Sequence, residues 1–158
     1  VVPANINTSE QIVISGHAAA VEIAAGLAKE RGAKRVVALP VSAPSHSPLM
    51  ESAAERLDAE LEKISYGSFA VPVLTNVEAE PLSDPSKVRE LLKLQLTSPV
   101  RWVDIIKRMK ADGVGTVIEV GPGKVLTGLV KRIDKEINAL NLGEAGDMEM
   151  VLEALGRA

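Results

Sequence analysis

The amino-acid sequence predicts an α/β fold with a largely parallel sheet, and three observations carry that reading. Short β-branched runs at residues 11–15 (QIVIS), 35–41 (RVVALPV) and 116–120 (TVIEV) have the length and composition of strands. Other stretches repeat apolar residues at helical spacing, as in Leu49, Ala53, Leu57, Leu61 and Ile64. The two kinds of segment alternate, which is the pattern of strands joined by crossover helices.

In order, the residues from Val1 read as loop, and residues 11–15 as a strand that ends at Gly16. An alanine-rich helix over 18–31 is stopped by Gly32, and residues 35–41 supply the next strand, giving a βαβ-like unit. Pro40 and Pro44 mark a change of direction before a helix that opens at Pro48, where a fixed φ and a missing N–H cost nothing. A short strand is expected at 71–75, then a helix capped by Asp84 or Ser86 that reaches about Leu96, with Pro99 beyond its end. Residues 102–111 form a further helix closed by Gly113. The strand at 116–120 runs into Gly121-Pro122-Gly123 and a helix over about 124–133. A last strand is expected at 137–142, and a last helix at 147–155 capped by Asp147. No internal repeat or low-complexity tract occurs.

Composition narrows the function classes. With 158 residues, 46% of them hydrophobic, the chain can bury a core for one domain or for parts of two. Its net charge of -3 gives no basic excess for a nucleic-acid backbone. Cysteine is absent, which removes disulfides, thiolate metal sites and a cysteine nucleophile together and fits a cytoplasmic setting. No apolar stretch approaches the roughly 20 residues of a membrane span. The start at Val1, in what reads as mid-loop, leads to the expectation of a piece of a longer enzyme.

Candidate chemistry lies in two loops. Residues 42–50 (SAPSHSPLM) place His46 between prolines at a strand end and a helix mouth, where α/β folds put their reactive groups. On this segment alone a surface histidine in a turn is the commoner arrangement, and His17, at a helix start, suits a capping or solvent role. Residues 119–128 (EVGPGKVLTG) invite a phosphate-loop reading, but the glycine spacing matches neither a Walker A loop nor the dinucleotide fingerprint, so a structural turn is favoured. Neither histidine has a carboxylate or a second histidine at metal-ligand spacing, and no metal is assigned.

Taken in order, residues 3–16 (PANINTSEQIVISG), Gly32-Ala33-Lys34-Arg35, residues 42–50, Gln95 with Pro99-Val100-Arg101-Trp102, and residues 119–129 resemble the malonyl-CoA:acyl-carrier-protein transacylases of bacterial fatty acid synthesis. The resemblance covers essentially the whole chain and matches the carboxy-terminal half of that family. It implies an α/β-hydrolase-like acyltransferase core with an inserted ferredoxin-like subdomain. Residues 1–42 would be the second part of the insert, and 43–158 the carboxy-terminal part of the core. The family's Gly-His-Ser-x-Gly nucleophile motif is absent from this sequence.

The resemblance further implies a ping-pong transfer of malonyl from CoA to the phosphopantetheine thiol of an acyl carrier protein, with CoA thioester as substrate and no cofactor. His46 would be the base, since an imidazole with an ordinary pKa of about 6.5 can both take and return a proton near neutrality. The backbone carbonyl of Gln95 would orient its ring, so the side chain at that position would matter less. Asn5, Asn7 and Gln11 match residues lining the substrate cleft. Lys34 and Arg35 match a basic pair for CoA phosphates and the acidic carrier protein. Ser45 matches a position tied to acyl selectivity. The missing amino-terminal half is the implied partner, with nucleic acid and membrane not expected. The competing expectation is a non-catalytic module that keeps the carrier-protein surface alone.

Overall fold

A computed structural model describes residues 1–156, which divide between Trp102 and Val103 into two units. In the first, β1 (Val2–Thr8) pairs antiparallel with β2 (Gln11–Ser15), from Val2 opposite Ser15 to Thr8 opposite Gln11. The opening residues, expected as loop, are thus a strand. Pro3, Ala4, Asn5 and Asn7 are poor strand formers, but hydrogen bonds on both edges satisfy the backbone. Val100 provides the second edge: Ile6 N donates to Val100 O at 2.9 Å, and Val100 N donates to Ala4 O at 2.8 Å. The β1–β2 register shifts between Pro3 and Asn5 and again between Ile6 and Thr8, so Asn7 sits at an irregularity of the kind that re-aims side chains.

The helix α1 (Ala18–Glu30) follows, with His17 at its N-cap making no side-chain cap bond. Gly32, at φ +91°, ends it in the left-handed conformation. Gly32 N then donates to Lys29 O and Ala33 N to Ala28 O, the paired bonds of a Schellman closure. Residues 35–41 are not a strand, contrary to the expectation, and no βαβ unit forms here. Val37, Leu39 and Val41 are 56%, 55% and 63% exposed. A β-branched run becomes a strand only when a neighbour completes its ladder, and β2 pairs with β1 instead.

A turn over Pro48–Met50 leads into α2 (Glu51–Leu61), which packs on α3 (Val88–Thr97); Ala54, Leu61 and Leu91 are the buried residues of the two helices. Asp58 ties the two helices by accepting from Arg89 Nε at 2.6 Å and Lys93 Nζ at 3.5 Å. Between them the expected strand at 71–75 contracts to β3 (Val73–Leu74), paired antiparallel with β4 (Pro81–Leu82). Asp84 caps the turn before α3, its Oδ1 accepting from Ser86 N at 2.9 Å.

The second unit begins within α4 (Trp102–Ala111), which buries Ile105 and Ile106. Here β5 (Thr116–Val120) and β6 (Asn138–Leu142) pair in parallel, in register from Thr116 with Asn138 to Val120 with Leu142, and α5 (Val125–Ile133) connects them. This is the parallel ladder; the other two are antiparallel hairpins, so the largely parallel sheet expected from the sequence is not present among the described residues. Strand alternation signals parallel pairing only where a helix fills each crossover, and β1–β2 and β3–β4 are joined by short turns instead. The last helix, α6 (Met148–Ala154), buries Val151. Its expected cap is corrected: Asp147 reaches back to accept from Gly143 N and Glu144 N, while Glu144 caps the preceding turn over Ala145–Asp147.

Ile106 is 1% exposed and Ile23 of α1 is 66% exposed. Ile106→Ala should cost about 2–5 kcal/mol in chemical denaturation. Ile23→Ala should stay within about 0.5 kcal/mol of the parent chain.

Candidate functional site

The loop that holds His46 is shaped by its two prolines. Pro48 drives the preceding Ser47 into extended backbone, at φ -138° and ψ 162°. Ser47, 1% exposed, turns its Oγ back to donate to Pro44 O at 2.7 Å. Met50 N closes the next turn onto Ser47 O. Between these restraints His46 is held at φ +58°, in the left-handed region where a residue with a Cβ is strained by about 1–3 kcal/mol. The surrounding bonds make that backbone the one available, and it fixes the direction in which the half-buried ring leaves the chain.

The ring meets the carboxy-terminal end of α3. His46 Nδ1 lies 2.8 Å from Gln95 O and 3.2 Å from Ser98 O. Both neighbours are carbonyl oxygens, which only accept, so Nδ1 carries the hydrogen and Nε2 keeps its lone pair as the basic nitrogen. Gln95 O is available for a reason written in the sequence. Its helical partner would be the amide of the residue four positions on, and that residue is Pro99, which has no N–H. Ser98 N is already spent on Leu94 O at 2.9 Å. The Gln95 side chain, which the sequence reading set aside, accepts from Asn76 Nδ2 at 3.0 Å.

Among the other candidates, Asn5 is drawn toward this segment by a backbone bridge to Val100, two residues after Ser98. Asn7 occupies the irregularity in β1, and Gln11 pairs with Thr8 at the start of β2. Ser45 is exposed next to His46, and Lys34 and Arg35 lie exposed in the segment after α1. Sequence reasoning missed the Ser98 carbonyl, the Ser47 clasp and Asn76. The proline four residues after Gln95 was a legible signal for the first site carbonyl; Asn76, 19 positions away in the chain from Gln95, left no local trace.

In the second unit the Gly121-Pro122-Gly123 turn opens α5 and supplies its own anion. Glu119 accepts from Leu126 N at 3.1 Å, Thr127 N at 2.7 Å and Thr127 Oγ at 2.7 Å. The Leu126 and Thr127 amides are ones a phosphate would take at a helix amino terminus. Gly123, at φ +92°, makes the turn, and Asn141 pins it by donating to Gly123 O at 2.6 Å. This geometry gives the glycines a structural role. Among the described residues no group of three or more histidine, cysteine or acidic side chains is placed to hold a metal ion, and no helix is long and apolar enough to cross a membrane.

Residues 1–150 match the model of the acyl transferase domain. The chain belongs to that family. The malonyl CoA-acyl carrier protein transacylase of Escherichia coli strain K12 is 46% identical over 151 residues, which are 96% of this chain and 49% of the relative. The crystal structure of the acyl-carrier-protein-S-malonyltransferase from Bartonella henselae matches with a TM-score of 0.93 and 48% identity, covering 98% of this chain and 49% of that one. A type II polyketide acyl-carrier protein in complex with its malonyl-transacylase contains a chain that matches with a TM-score of 0.94 at 40% identity, covering 96% of this chain and 49% of that one. The chain spans about half the length of the curated relatives it matches.

Hydrogen bonds from the Thr127 amide, then from its hydroxyl, hold the Glu119 carboxyl below its ordinary value of 4.5. A carboxyl more acidic in the folded state stabilises the fold fully above that ordinary value and loses the effect as pH falls through the lower, folded one. Glu119→Gln, a neutral mimic of the protonated acid, should therefore lower the denaturation midpoint at neutral pH, and the two proteins should converge in acid.

Proposed function

We propose that this chain supplies the histidine-bearing half of a serine–histidine acyltransferase site that moves malonyl from CoA to the phosphopantetheine thiol of an acyl carrier protein. The observation that carries the reading is the 2.8 Å approach of His46 Nδ1 to Gln95 O, which leaves Nε2 as the base. Family membership and the malonyl-transferring relatives support malonyl transfer, and the carrier-protein complex among the matched structures supports that partner. The nucleophile belongs to a complementary segment, since no Gly-His-Ser-x-Gly motif occurs in these 158 residues.

In the proposed cycle Nε2 takes the serine proton as the serine oxygen attacks the thioester carbon. The carbon–sulfur bond breaks, and the imidazolium returns the proton to the CoA thiolate. The second half runs the same steps in reverse order: the carrier thiol gives its proton to Nε2, its sulfur takes the malonyl group, and the serine oxygen leaves with the proton. An aspartate does the orienting in hydrolase triads. Here the carboxy-terminal end of α3 does it, and its partial negative charge attracts the positive charge that develops on the ring. CoA is a substrate on this reading, and no cofactor takes part.

In the complete protein, residues 1–42 complete a ferredoxin-like subdomain and 43–158 an α/β-hydrolase-like core, with the reaction in the cytoplasm. Asn5, Asn7 and Gln11 line the acyl cleft, Ser45 borders the acyl group, and the exposed Lys34 and Arg35 meet CoA phosphates and the acidic carrier surface.

The reading is tested by combining this chain with the family's amino-terminal half. Labelled malonyl-CoA should leave this chain unlabelled and mark the added half, and His46→Ala should slow transfer roughly 100- to 10,000-fold with the fold intact. Turnover near the parent rate in the variant would reject His46 as the base. Lys34→Glu with Arg35→Glu should raise KM for carrier protein and CoA thioester, with the defect shrinking at high salt. Unchanged KM values at every salt concentration would make the pair an ordinary solvated segment.

A further inference from the structure

We propose that Asn76 is a positioning residue for His46, acting through Gln95. The inference rests on the reading of His46 as the base, and it extends that reading to a residue outside the loop. Asn76 lies in the connection between β3 and β4, which is stiff for its length. Ala79 N donates to Thr75 O at 3.0 Å, Glu78 N to Thr75 Oγ at 3.3 Å and Thr75 N to Glu80 O at 3.3 Å. Ala79 is 3% exposed and held at φ +58°, so the turn has little freedom to shift.

From this platform Asn76 grips both ends of the segment that faces His46. Its Nδ2 donates to Gln95 Oε1 at 3.0 Å, and its backbone oxygen accepts from Arg101 N at 3.0 Å. Arg101 Nη1 adds a bond to Glu78 O at 3.1 Å in the same turn. Gln95 and Arg101 bracket Ser98, so both carbonyls that receive His46 Nδ1 lie within the bracket or at its edge. Two of the groups concerned cannot be fixed by the helix itself. Gln95 O has no amide four residues on because of Pro99, and Ser98 has already left helical backbone at φ -109° and ψ 152°. A side-chain grip on Gln95 supplies the order that the missing helical bond does not.

Asparagine suits the task because its amide gives Gln95 a donor. An aspartate could do the same work with the Gln95 amide turned round, donating its N–H to the carboxylate, whereas leucine fills the volume with no bond at all. A bonding role and a packing role therefore predict different orders of variants.

The readout is the ring nitrogen spectrum of the 158-residue chain, in which His17 is the other histidine. Nitrogen-15 shifts of neutral His46 should give a ring predominantly protonated at Nδ1 in the parent chain and in Asn76→Asp. A mixture of tautomers is expected in Asn76→Leu and in Gln95→Ala, which removes the acceptor while leaving the carbonyl. The double variant should be no worse than either single one, since one bond is lost in each case. In the protein completed by its amino-terminal half, Asn76→Leu should lower kcat roughly ten- to a hundred-fold with KM little changed. An unaltered His46 tautomer in both Asn76→Leu and Gln95→Ala would overturn the proposal. Loss of the whole fold in both would overturn it too, by making the bond a general structural one. The tautomer is read without substrate, so a ring locked as expected in a completed protein that transfers no malonyl would reject the acyltransferase reading instead.

Discussion

Every α-helix ends with carbonyls that no amide of its own can reach, and what takes them decides what can be built at that end. In α3 the proline at position 99 extends this vacancy to Gln95 O, and the His46 ring occupies it at 2.8 Å. The rest of the local structure serves that meeting. Ser47 clasps Pro44 so that His46 takes a left-handed backbone, Ser98 brings a second carbonyl, and Asn76 holds the end of α3 against the exit segment. The strain at His46 is tolerable because several bonds and two prolines determine the loop together.

The opposite end of a helix is used in the second unit with the opposite result. There the free amides at the start of α5 are taken by Glu119 from the same unit, three hydrogen bonds to one carboxylate. The turn that looks like an anion cradle is already satisfied by the protein's own carboxylate. The helix end meets the His46 ring at α3 and the protein's own carboxylate at α5. One rule of backbone hydrogen bonding thus accounts for a candidate site and for a motif that is not one.

The half-length match to acyl transferase relatives gives context to the surfaces left open. Residues 35–41 have a strand's composition without a strand's partner, and Val37, Leu39 and Val41 face solvent. No helical residue of α1 is fully buried. Exposed apolar groups of this kind are what interaction surfaces are built from.

Much was legible in the residues because it depends on neighbours in sequence. Helical spacing and capping signals placed α1 through α6 to within a few residues, Gly32 and Asp84 marked a helix end and a helix start, and the prolines around His46 marked a loop with a candidate base in it. Pairing was not legible in the same way. The run at residues 2–8, with its proline and two asparagines, became β1 because β2 and Val100 supplied its two edges, while the more strand-like run at 35–41 stayed unpaired. The family resemblance pointed to Gln95, and Pro99 gave the local reason its carbonyl is free, but the grip of Asn76 across 19 residues and the approach of Ser98 O required the folded chain. Sequence by itself determines which backbone groups cannot be satisfied locally, because that follows from residue type and spacing. Only tertiary structure decides which distant group satisfies them, because hydrogen bonding acts over about 3 Å of space and is indifferent to separation along the chain.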